Sequence, residues 1–239
     1  RLLDGARLCA VVDPVAVDGT TMTIRRHRRR RVAIDEFASP EVVGVLRDLV
    51  HRRSNVLVTG ATSSGKTTLL AALADTLPDG ERLVIIEDTS ELVLDDRRHV
   101  VRLEARPPGV DGVEPVGLAQ LVRTALRLRP DRLVVGEFRG PEVVAVVEAL
   151  NTGHDGSLSP CHANAAVDGL RRVETLVLQA APGWPLTAIR RQVSRSLDAV
   201  VHVVRDPAGR RSVREIIEVV EGDGEPVGRH LVESGRKVA

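Results

Sequence analysis

The chain has 239 residues, with 43% apolar and 1% aromatic side chains, no tyrosine and a formal net charge of +1. This length allows one large domain, or one domain and a smaller piece, with a sizeable core. The scarcity of aromatic rings argues against a base-stacking platform for single-stranded nucleic acid, and the small net charge gives no overall attraction to nucleic acid or anionic lipid. Two cysteines far apart in sequence, Cys9 and Cys161, argue against a disulfide framework and indicate a reducing compartment.

The first 31 residues read as the end of a structural unit followed by a basic connector. The sequence starts with RLLDGARL, without Met, so we expect a fragment; it shows no signal peptide and no apolar run of ~18 residues that could span a membrane. LCAVV and TMTI are β-prone and are punctuated by Asp-Gly turns. The run RRHRRRR, residues 25–31, predicts a solvated connector, with a polyphosphate or acidic-partner contact and a DNA or membrane patch as alternatives.

The rest of the chain alternates helix and strand signals. A helix is predicted from Ser39 as the N-cap and Pro40 as the first helical residue. The predicted strands that follow are NVLVTG, RLVIIED and RLVVGE, and the predicted helices are KTTLLAALADTL, LAQLVRTALRLR and PEVVAVVEAL. Continuous apolar strands between helices predict an α/β fold with a mostly parallel sheet covered on both faces. Near the end, AVVHVVR and RRSVREIIEVVE predict a β-hairpin across the turn DPAG.

The stretch GATSSGKT fits the phosphate-loop pattern G-x-x-x-x-G-K-[ST] and lies between a predicted strand and a predicted helix, as the motif requires. The two glycines allow successive N–H groups to surround phosphate oxygens, and the helix N-terminus adds partial positive charge. Lys66 can neutralise the β- and γ-phosphates and the Thr67 hydroxyl can ligate Mg²⁺. The predicted nucleotide-binding residues of this segment are Gly60, Ala61, Thr62, Ser63, Ser64, Gly65, Lys66, Thr67 and Thr68.

Acidic residues follow two of the predicted strands. The strand LVVGEF has Gly136 where many phosphate-loop proteins carry an aspartate, and Glu137 follows it. The strand ending IIEDT supplies Glu87 and Asp88. Because ligands of parallel sheets bind beyond the carboxyl ends of the strands, we expect these three acids to converge near a γ-phosphate. The alternative for each is a solvated acid at a strand end.

Four ordered motifs resemble those of the type II/type IV secretion ATPases. RLRPDRLVVGEFRGPE resembles the Walker B region of that family, VIIEDTSEL its Asp box and TGHDGSLSPCHAN its His box, and VETLVL followed by AIRRQVSRSLDAVVHVVR resembles its C-terminal pattern. The likeness covers nearly the whole chain and is greatest to the CpaF-like ATPases of the Flp (tight-adherence) pilus. The resemblance implies a RecA-like P-loop NTPase domain at residues 32–239, preceded by the tail of a small PAS-like α+β domain at residues 1–31.

The resemblance also implies roles for the residues that match the motifs. Lys66 and Thr67 would bind phosphate and Mg²⁺. Glu87 is the first candidate for polarising the attacking water, and Glu137 would help to hold the Mg²⁺–water shell. The sequence leaves open which of the two glutamates is the catalytic base.

Arginines would complete the charge balance, because a phosphoryl transition state favours planar, permanently charged guanidinium groups. Arg25 and Arg26 match the stretch where the family's N-terminal domain reaches the nucleotide, and we expect them to contact it. Arg139, directly after the Walker B motif, is expected to form an ion pair. Arg123 and Arg127 lie just upstream, and surface or structural roles are the alternative for every one of these arginines.

The segment Gly153–Asn164 carries two histidines and a cysteine. Cys161 and His162 are adjacent, so in extended backbone they point to opposite faces; this and the absence of paired ligand spacings argue against a zinc site and a Cys–His nucleophile pair. We expect His162 to sense the γ-phosphate with His154 in support, the alternative being a structural histidine. Pro160 stands where the family usually has Ser or Thr, and proline fixes φ and removes an N–H, so we expect altered backbone there.

The sequence is compatible with three functions. The first is an ATP-hydrolysing motor of a pilus or secretion system, the second a nucleotide-dependent assembly scaffold, and the third a conjugation or DNA-transfer ATPase, motivated by the basic run. The histidine-rich segment and GEFRG argue against a P-loop kinase. The resemblance implies ATP and Mg²⁺ as ligands, a homo-hexamer, an inner-membrane platform protein as partner and a cytoplasmic location at the inner face of the cell membrane, without a stable nucleic-acid partner.

Overall fold

The computed structural model describes residues 6–26, 31–92, 94, 99–109, 112–222 and 225–238. The chain divides into two units, residues 1–31 and residues 32–239. In the first unit, β1 (Arg7–Val11) and β2 (Thr21–Arg25) form an antiparallel hairpin, as the two β-prone stretches predict. Residues 27–30 of the predicted basic connector lie outside the described residues.

The second unit begins with a short 3₁₀ turn, Ile34–Glu36, and helix α1, Pro40–His51. The predicted start of α1 is confirmed: Ser39 occupies the N-cap position with extended backbone, although its hydroxyl makes no capping hydrogen bond. The apolar side of α1 is buried, with Leu46 and Val50 fully inaccessible to solvent. Burial of such aliphatic side chains stabilises the fold by ~1.5–3 kcal/mol each, so packing rather than capping holds this helix.

Strands and helices then alternate along the chain. In order they are β3 (Val56–Gly60), α2 (Lys66–Ala74), β4 (Leu83–Glu87), β5 (Val100–Glu104), α3 (Leu118–Leu126), β6 (Arg132–Val135), α4 (Glu142–Leu150), β7 (Leu158–His162), α5 (Ala166–Ala180), α6 (Leu186–Ser196), β8 (Ala199–Arg205), β9 (Arg211–Glu221), β10 (Pro226–Glu233) and β11 (Arg236–Lys237). Among the described residues, no helix combines the length and the apolar composition that a membrane span requires.

In the described part of the second unit, nine strands form one sheet in the order β11-β10-β9-β8-β3-β7-β6-β4-β5. The strands from β8 to β5 in this order pair in parallel, whereas β9, β10 and β11 add antiparallel strands beyond β8. The mostly parallel α/β sheet is therefore confirmed. The β8–β9 pair is the hairpin that the DPAG turn predicts.

The sheet is covered on both faces. Val56 and Val58 of β3 point into a core layer with α1 and α2, whereas Leu57 between them points into a layer with α3, α4, α5 and α6. This alternation follows from the period of two in a strand. Because both layers are apolar, the inner strands read as continuous hydrophobic runs in the sequence.

Strand β7 carries Pro160 in the middle of the sheet, although proline lacks the N–H that an inner strand normally uses. The Ser157 carbonyl accepts a hydrogen bond from Val56 N–H at 2.9 Å, so the odd-numbered residues of this segment direct their backbone groups toward β3. Backbone groups alternate sides along a strand, so the Pro160 nitrogen faces β6. The described β6–β7 pairing is limited to Val134 and Leu158, so the proline interrupts no described ladder bond.

A buried arginine, Arg132, connects several elements at the amino ends of the parallel strands. The side chain of Arg132 is 2% exposed; its Nε lies 2.5 Å from Glu81 Oε2, and its Nη1 donates to the Val50 carbonyl at 2.8 Å. Arg53 reaches the other Glu81 oxygen at 2.8 Å. The guanidinium packs against Gly156, in the turn before β7, so α1, β4, β6 and β7 meet at this ion cluster.

Replacing Gly156 with alanine is expected to destabilise the fold by ~2–4 kcal/mol. Gly156 has a φ of 84°, and a Cβ there would lie 2.5 Å from Arg132 Nη1, which its own hydrogen bonds hold in place. Gly153→Ala is the matched control, because Gly153 has a φ of 87° but open space around its Cβ position. Urea unfolding of both variants measures the difference; equal midpoints would show that the Arg132 contact does not matter.

Candidate functional site

One edge of the sheet collects the side chains that the sequence singles out. Because parallel strands end at the same edge, the carboxyl ends of β3, β7, β6 and β4 lie side by side. The phosphate loop follows β3, His162 ends β7, Glu137 follows β6 and Glu87 ends β4. The fold thus places the four motifs along one edge.

The loop between β3 and α2 is closely packed at both of its glycines. Gly65 has a φ of 106°, a left-handed conformation that favours glycine. A Cβ on Gly60 would lie 2.4 Å from both Ser64 Oγ and the Val203 carbonyl oxygen, so a side chain does not fit. Ser64 Oγ is buried and has no hydrogen-bond partner among the described residues. Of the other predicted loop residues, Ala61, Thr62 and Ser63 are exposed, and Thr67 and Thr68 are half-buried in the first turn of α2.

Lys66 directs its ammonium group into the phosphate loop. Its Nζ donates to the carbonyls of Gly60 at 3.0 Å and Ala61 at 2.9 Å, and lies 3.1 Å from His162 Nδ1. Burial lowers the pKa of Lys66 to about 8, and the nearby Arg139 charge acts in the same direction. Three acceptors therefore hold a cation that an arriving anion could recruit.

A chain of contacts continues from Lys66 to the Walker B segment. An ammonium group can only donate, so His162 Nδ1 accepts and the ring proton resides on Nε2. Nε2 lies 2.6 Å from Glu137 Oε1, and Arg139 Nη2 lies 2.5 Å from Glu137 Oε2. Oε1 is buried and has no well-aligned hydrogen bond among the described residues. The side chains of Lys66, His162, Glu137 and Arg139 thus form a line of close polar contacts, called the relay below, of cation, imidazole, carboxylate and cation.

The surroundings keep the imidazole of this relay neutral. Burial lowers the pKa of His162, and the positive charges of Lys66 and Arg172 lower it further. A neutral imidazole accepts from one side and donates on the other, so it can link Lys66 to Glu137 without adding charge. Any movement of the Lys66 ammonium therefore changes the partner of His162.

Glu87 has a different environment from Glu137. It is 5% exposed, and its Oε1 accepts hydrogen bonds from the backbone N–H groups of Glu91 at 3.0 Å and Leu92 at 3.1 Å. Burial raises its pKa, although these two bonds oppose the shift. It packs beside Gly136, where a Cβ would lie 3.2 Å from Glu87 Cγ. The carboxyl group thus anchors the loop after β4, and no described contact joins it to the relay.

The predicted arginines fall into separate groups. Arg139 forms the expected ion pair with Glu137. Arg123 and Arg127 are exposed at the end of α3 and have no described contact with the relay. Arg25 and Arg26 are exposed in the first unit, so their contact with nucleotide stays a prediction. Asp88, the third predicted acid, is exposed beyond β4.

The prediction that His154 supports His162 is wrong. His154 Nδ1 lies 3.2 Å from the Ala149 carbonyl at the end of α4. It precedes β7, whereas His162 ends β7, and five strand residues span ~16 Å. The two histidines therefore lie at opposite ends of β7.

Several residues near the site were not predicted. His202 of β8 is buried, its Nδ1 lies 3.0 Å from Thr59 Oγ1, and its strand partner is Glu215. The Glu215 Oε2 atom accepts the first N–H of α5, from Ala166, at 3.0 Å. Arg172 of α5 shares an open groove with His162. The sequence signals only one of these residues, His202, which is polar and lies between apolar neighbours in β8.

Cys161 behaves as a core residue. It is 1% exposed, and burial raises the pKa of its thiol to about 11, so it stays protonated at neutral pH. A protonated, inaccessible thiol is a poor nucleophile and a poor metal ligand. Among the described residues, no group of three or more His, Cys, Asp or Glu side chains is arranged to hold a metal ion.

A parallel sheet with a phosphate loop after its central strand, next to strand-end acids, defines a P-loop nucleotide-binding domain. The chain belongs to the type II/IV secretion system protein family, whose model matches residues 5–237. A relative from Mycobacterium tuberculosis that is named for conjugal transfer is 41% identical over 223 residues, 91% of this chain and 62% of the relative. The type IV secretion system protein PtlH of Bordetella pertussis is 34% identical over 251 residues, 93% of this chain and 74% of PtlH.

Solved structures agree with this assignment. The VirB11 ATPase from the Brucella suis type IV secretion system superposes with a TM-score of 0.67 at 28% identity, covering 91% of this chain and 72% of VirB11. The Legionella pneumophila ATPase DotB, at 24% identity and a TM-score of 0.68 over 89% of this chain and 58% of DotB, shares the fold. The expected fold and family are confirmed, whereas the closer likeness to CpaF-type Flp-pilus ATPases stays a prediction. The chain spans 62% of the mycobacterial relative's length.

Proposed function

We propose that this chain carries the ATP-hydrolysing domain of a motor that drives a pilus or secretion system. The relay from Lys66 of the phosphate loop through His162 to Glu137 carries this proposal. It joins the group that would bind the phosphates to the strand-end acid of the neighbouring motif. The relatives named for type IV secretion and the VirB11 ATPase support the same reading.

The phosphate chain of ATP would occupy the loop in front of α2. Lys66 would exchange the Gly60 and Ala61 carbonyls for phosphate oxygens, which carry more negative charge. A cavity of about 610 Å³ opens on the β8 side of the loop, lined by Thr62 and Ser64 and by residues of the β8–β9 turn. A cavity of that size accommodates the nucleoside, whereas His162 lies on the β7 side, where the γ-phosphate would point.

The residues present fit a magnesium ion. Mg²⁺ prefers hard oxygen donors, and the Thr67 hydroxyl and the Glu137 carboxylate are such donors at the same sheet edge. Glu137 Oε1 is buried without a well-aligned hydrogen bond, which leaves it an acceptor for a metal-bound water. When bound, the ion would neutralise charge on the phosphate oxygens.

The relay gives the side chains defined tasks during hydrolysis. Once phosphate draws Lys66 away, His162 Nδ1 loses its donor and the ring can report on the γ-phosphate. Glu137 would orient the attacking water, while Arg139 would hold the second oxygen of its carboxylate. Glu87, held by the loop after β4, would help to place that water from the neighbouring strand.

Assembly and location extend this proposal to the full-length protein. We expect a homo-hexamer at the cytoplasmic face of the membrane that works with an inner-membrane platform protein. The competing hypothesis is a scaffold that assembles when it binds nucleotide but hydrolyses little ATP. It would show nucleotide-dependent assembly with phosphate release at background level.

Conjugal DNA transfer is a second candidate function, favoured by the name of the mycobacterial relative. Arg25–Arg31 would then contact DNA phosphates. Salt-dependent DNA binding that disappears when these arginines are neutralised would support this candidate. DNA that changes neither binding nor turnover would count against it.

Phosphate release and molecular mass, measured together on the full-length protein, test the proposal. We expect Mg²⁺-dependent release of phosphate from ATP, and a nucleotide-stabilised particle of several subunits. Assembly without phosphate release would favour the scaffold. Absence of both ATP binding and phosphate release would contradict the motor.

A further inference from the structure

The β8–β9 hairpin is fixed against the phosphate loop at several points. The imidazole of His202 contacts the Thr59 hydroxyl at 3.0 Å, inside the strand that leads into the loop. The carbonyl of Val203 lies so close to Gly60 that a Cβ there would meet it at 2.4 Å. These contacts are buried, so the turn that joins β8 to β9 has a defined position beside the loop.

Arg211, the first residue of β9, extends across Gly65 of the phosphate loop. A Cβ on Gly65 would lie 2.5 Å from Arg211 Cδ and 3.2 Å from its Nε. Gly65 directly precedes Lys66, so the aliphatic part of Arg211 lies against the backbone that would surround the phosphates. Its guanidinium group is therefore brought to the mouth of the same loop.

The charge of Arg211 is not used elsewhere in the described structure. No ion pair or side-chain hydrogen bond joins its guanidinium to any residue that the structure describes. Its neighbour Arg210 differs, because Arg210 Nε pairs with Asp206 Oδ2 at 3.0 Å and closes the turn. An uncompensated guanidinium beside a phosphate-binding loop is suited to an anionic ligand, because its fork of donors matches phosphate oxygens.

We propose that Arg211 binds the phosphate chain of the nucleotide, acting from the β8 side of the loop while Lys66 acts from within it. The inference rests on the proposed nucleotide-binding function and adds a residue outside every motif. It also gives the β8–β9 hairpin a role in nucleotide binding, because the phosphates would contact both Arg211 of the hairpin and the phosphate loop.

Equilibrium binding of a fluorescent ADP analogue, displaced by unlabelled ATP or ADP with Mg²⁺ present, tests the inference on the full-length protein. We expect Arg211→Gln and Arg211→Ala to weaken ATP and ADP about tenfold, or ~1.4 kcal/mol. Gln retains much of the aliphatic stem that covers Gly65, so the affinity lost in Arg211→Gln reports on the charge and not on the packing. Arg210→Ala is the matched control and is expected to change the affinity less than about twofold, because its ion pair is exposed.

The outcomes separate this inference from the proposed function. If wild-type protein binds ADP and Arg211→Gln binds it equally well, the charge plays no part and the inference is overturned. A weakened Arg211→Ala beside an unchanged Arg211→Gln would assign the effect to packing, which also overturns it. If the wild-type protein binds no nucleotide, the proposed function itself fails. Urea midpoints matching the wild type are expected for all three variants, since both arginines are exposed.

Discussion

Replacing Lys66 with alanine is expected to reduce ATP turnover at least ~100-fold and to weaken ATP binding strongly. The variant removes the cation that lies between the Gly60 and Ala61 carbonyls and His162. It also leaves His162 Nδ1 without its donor, so the variant loses both the phosphate-binding cation and the first contact of the relay. Turnover is measured by phosphate release, and binding by fluorescent nucleotide titration.

Lys237→Ala is the matched control for this variant, because Lys237 lies on β11 at the far edge of the sheet and is exposed. It should retain wild-type turnover. The urea midpoint of Lys66→Ala shows whether the variant is folded, so that a loss of activity caused by unfolding is recognised. A folded Lys66→Ala protein with full turnover would exclude the proposed role of the loop.

The lowered pKa of Lys66 gives the wild-type protein a pH signature. Burial brings this pKa to about 8, so the free protein loses the Lys66 proton as pH rises through 8. Phosphate favours the charged form, so ATP affinity should fall by up to about tenfold per pH unit above that point. Between pH 8 and the ordinary lysine pKa the unfolded chain binds more protons than the folded one, so this group makes folding stability rise with pH. Affinity and stability therefore change in opposite directions in the same window.

The second large effect is expected from Glu137→Gln, which should bind ATP with near wild-type affinity but hydrolyse it ~100-fold more slowly. The amide retains the shape of the side chain but removes the charge that faces His162 and Arg139. Among the contacts that the structure describes, none joins Glu137 to the phosphate loop, so binding should survive while water activation is lost. Single-turnover phosphate release, compared with nucleotide affinity, measures the two effects separately.

Glu87→Gln distinguishes the two glutamates. The Glu87 carboxyl accepts two backbone N–H groups through one oxygen, and an amide oxygen can do the same. We therefore expect Glu87→Gln to slow hydrolysis without loosening ATP binding, as the sequence motifs predict, but less severely than Glu137→Gln. Glu148→Gln, which changes an exposed residue of α4, is the control and should leave both the rate of hydrolysis and the ATP affinity unchanged. A larger defect in Glu87→Gln than in Glu137→Gln would reverse the assignment.

Sequence patterns predicted the parts of the structure that depend on local chemistry. The phosphate loop, the alternation of apolar strands with helices and the β8–β9 hairpin all have short-range signatures of periodicity or turn composition. The start of α1 at Pro40 is likewise visible from Ser39 and the apolar spacing that follows. Each of these features depends on residues that are close together in the chain.

Features that depend on tertiary structure were not predictable. Strand β7 was missed because its sequence LSPCH contains proline and polar residues, which suit an inner strand only where β6 pairing has ended near Leu158. The prediction for His154 fails because the extended strand β7 separates two histidines that are close in sequence. The contact of Arg211 with Gly65 joins residues far apart in the chain and had no signal in any motif.

The most direct test is a side-by-side measurement of ATP binding and phosphate release for the full-length wild-type protein and its Glu137→Gln variant, each with Mg²⁺. The relay predicts that the wild type hydrolyses ATP, and that the variant binds ATP equally well yet releases phosphate ~100-fold more slowly. A wild-type protein that binds ATP without releasing phosphate, or a variant with undiminished release, would contradict the account.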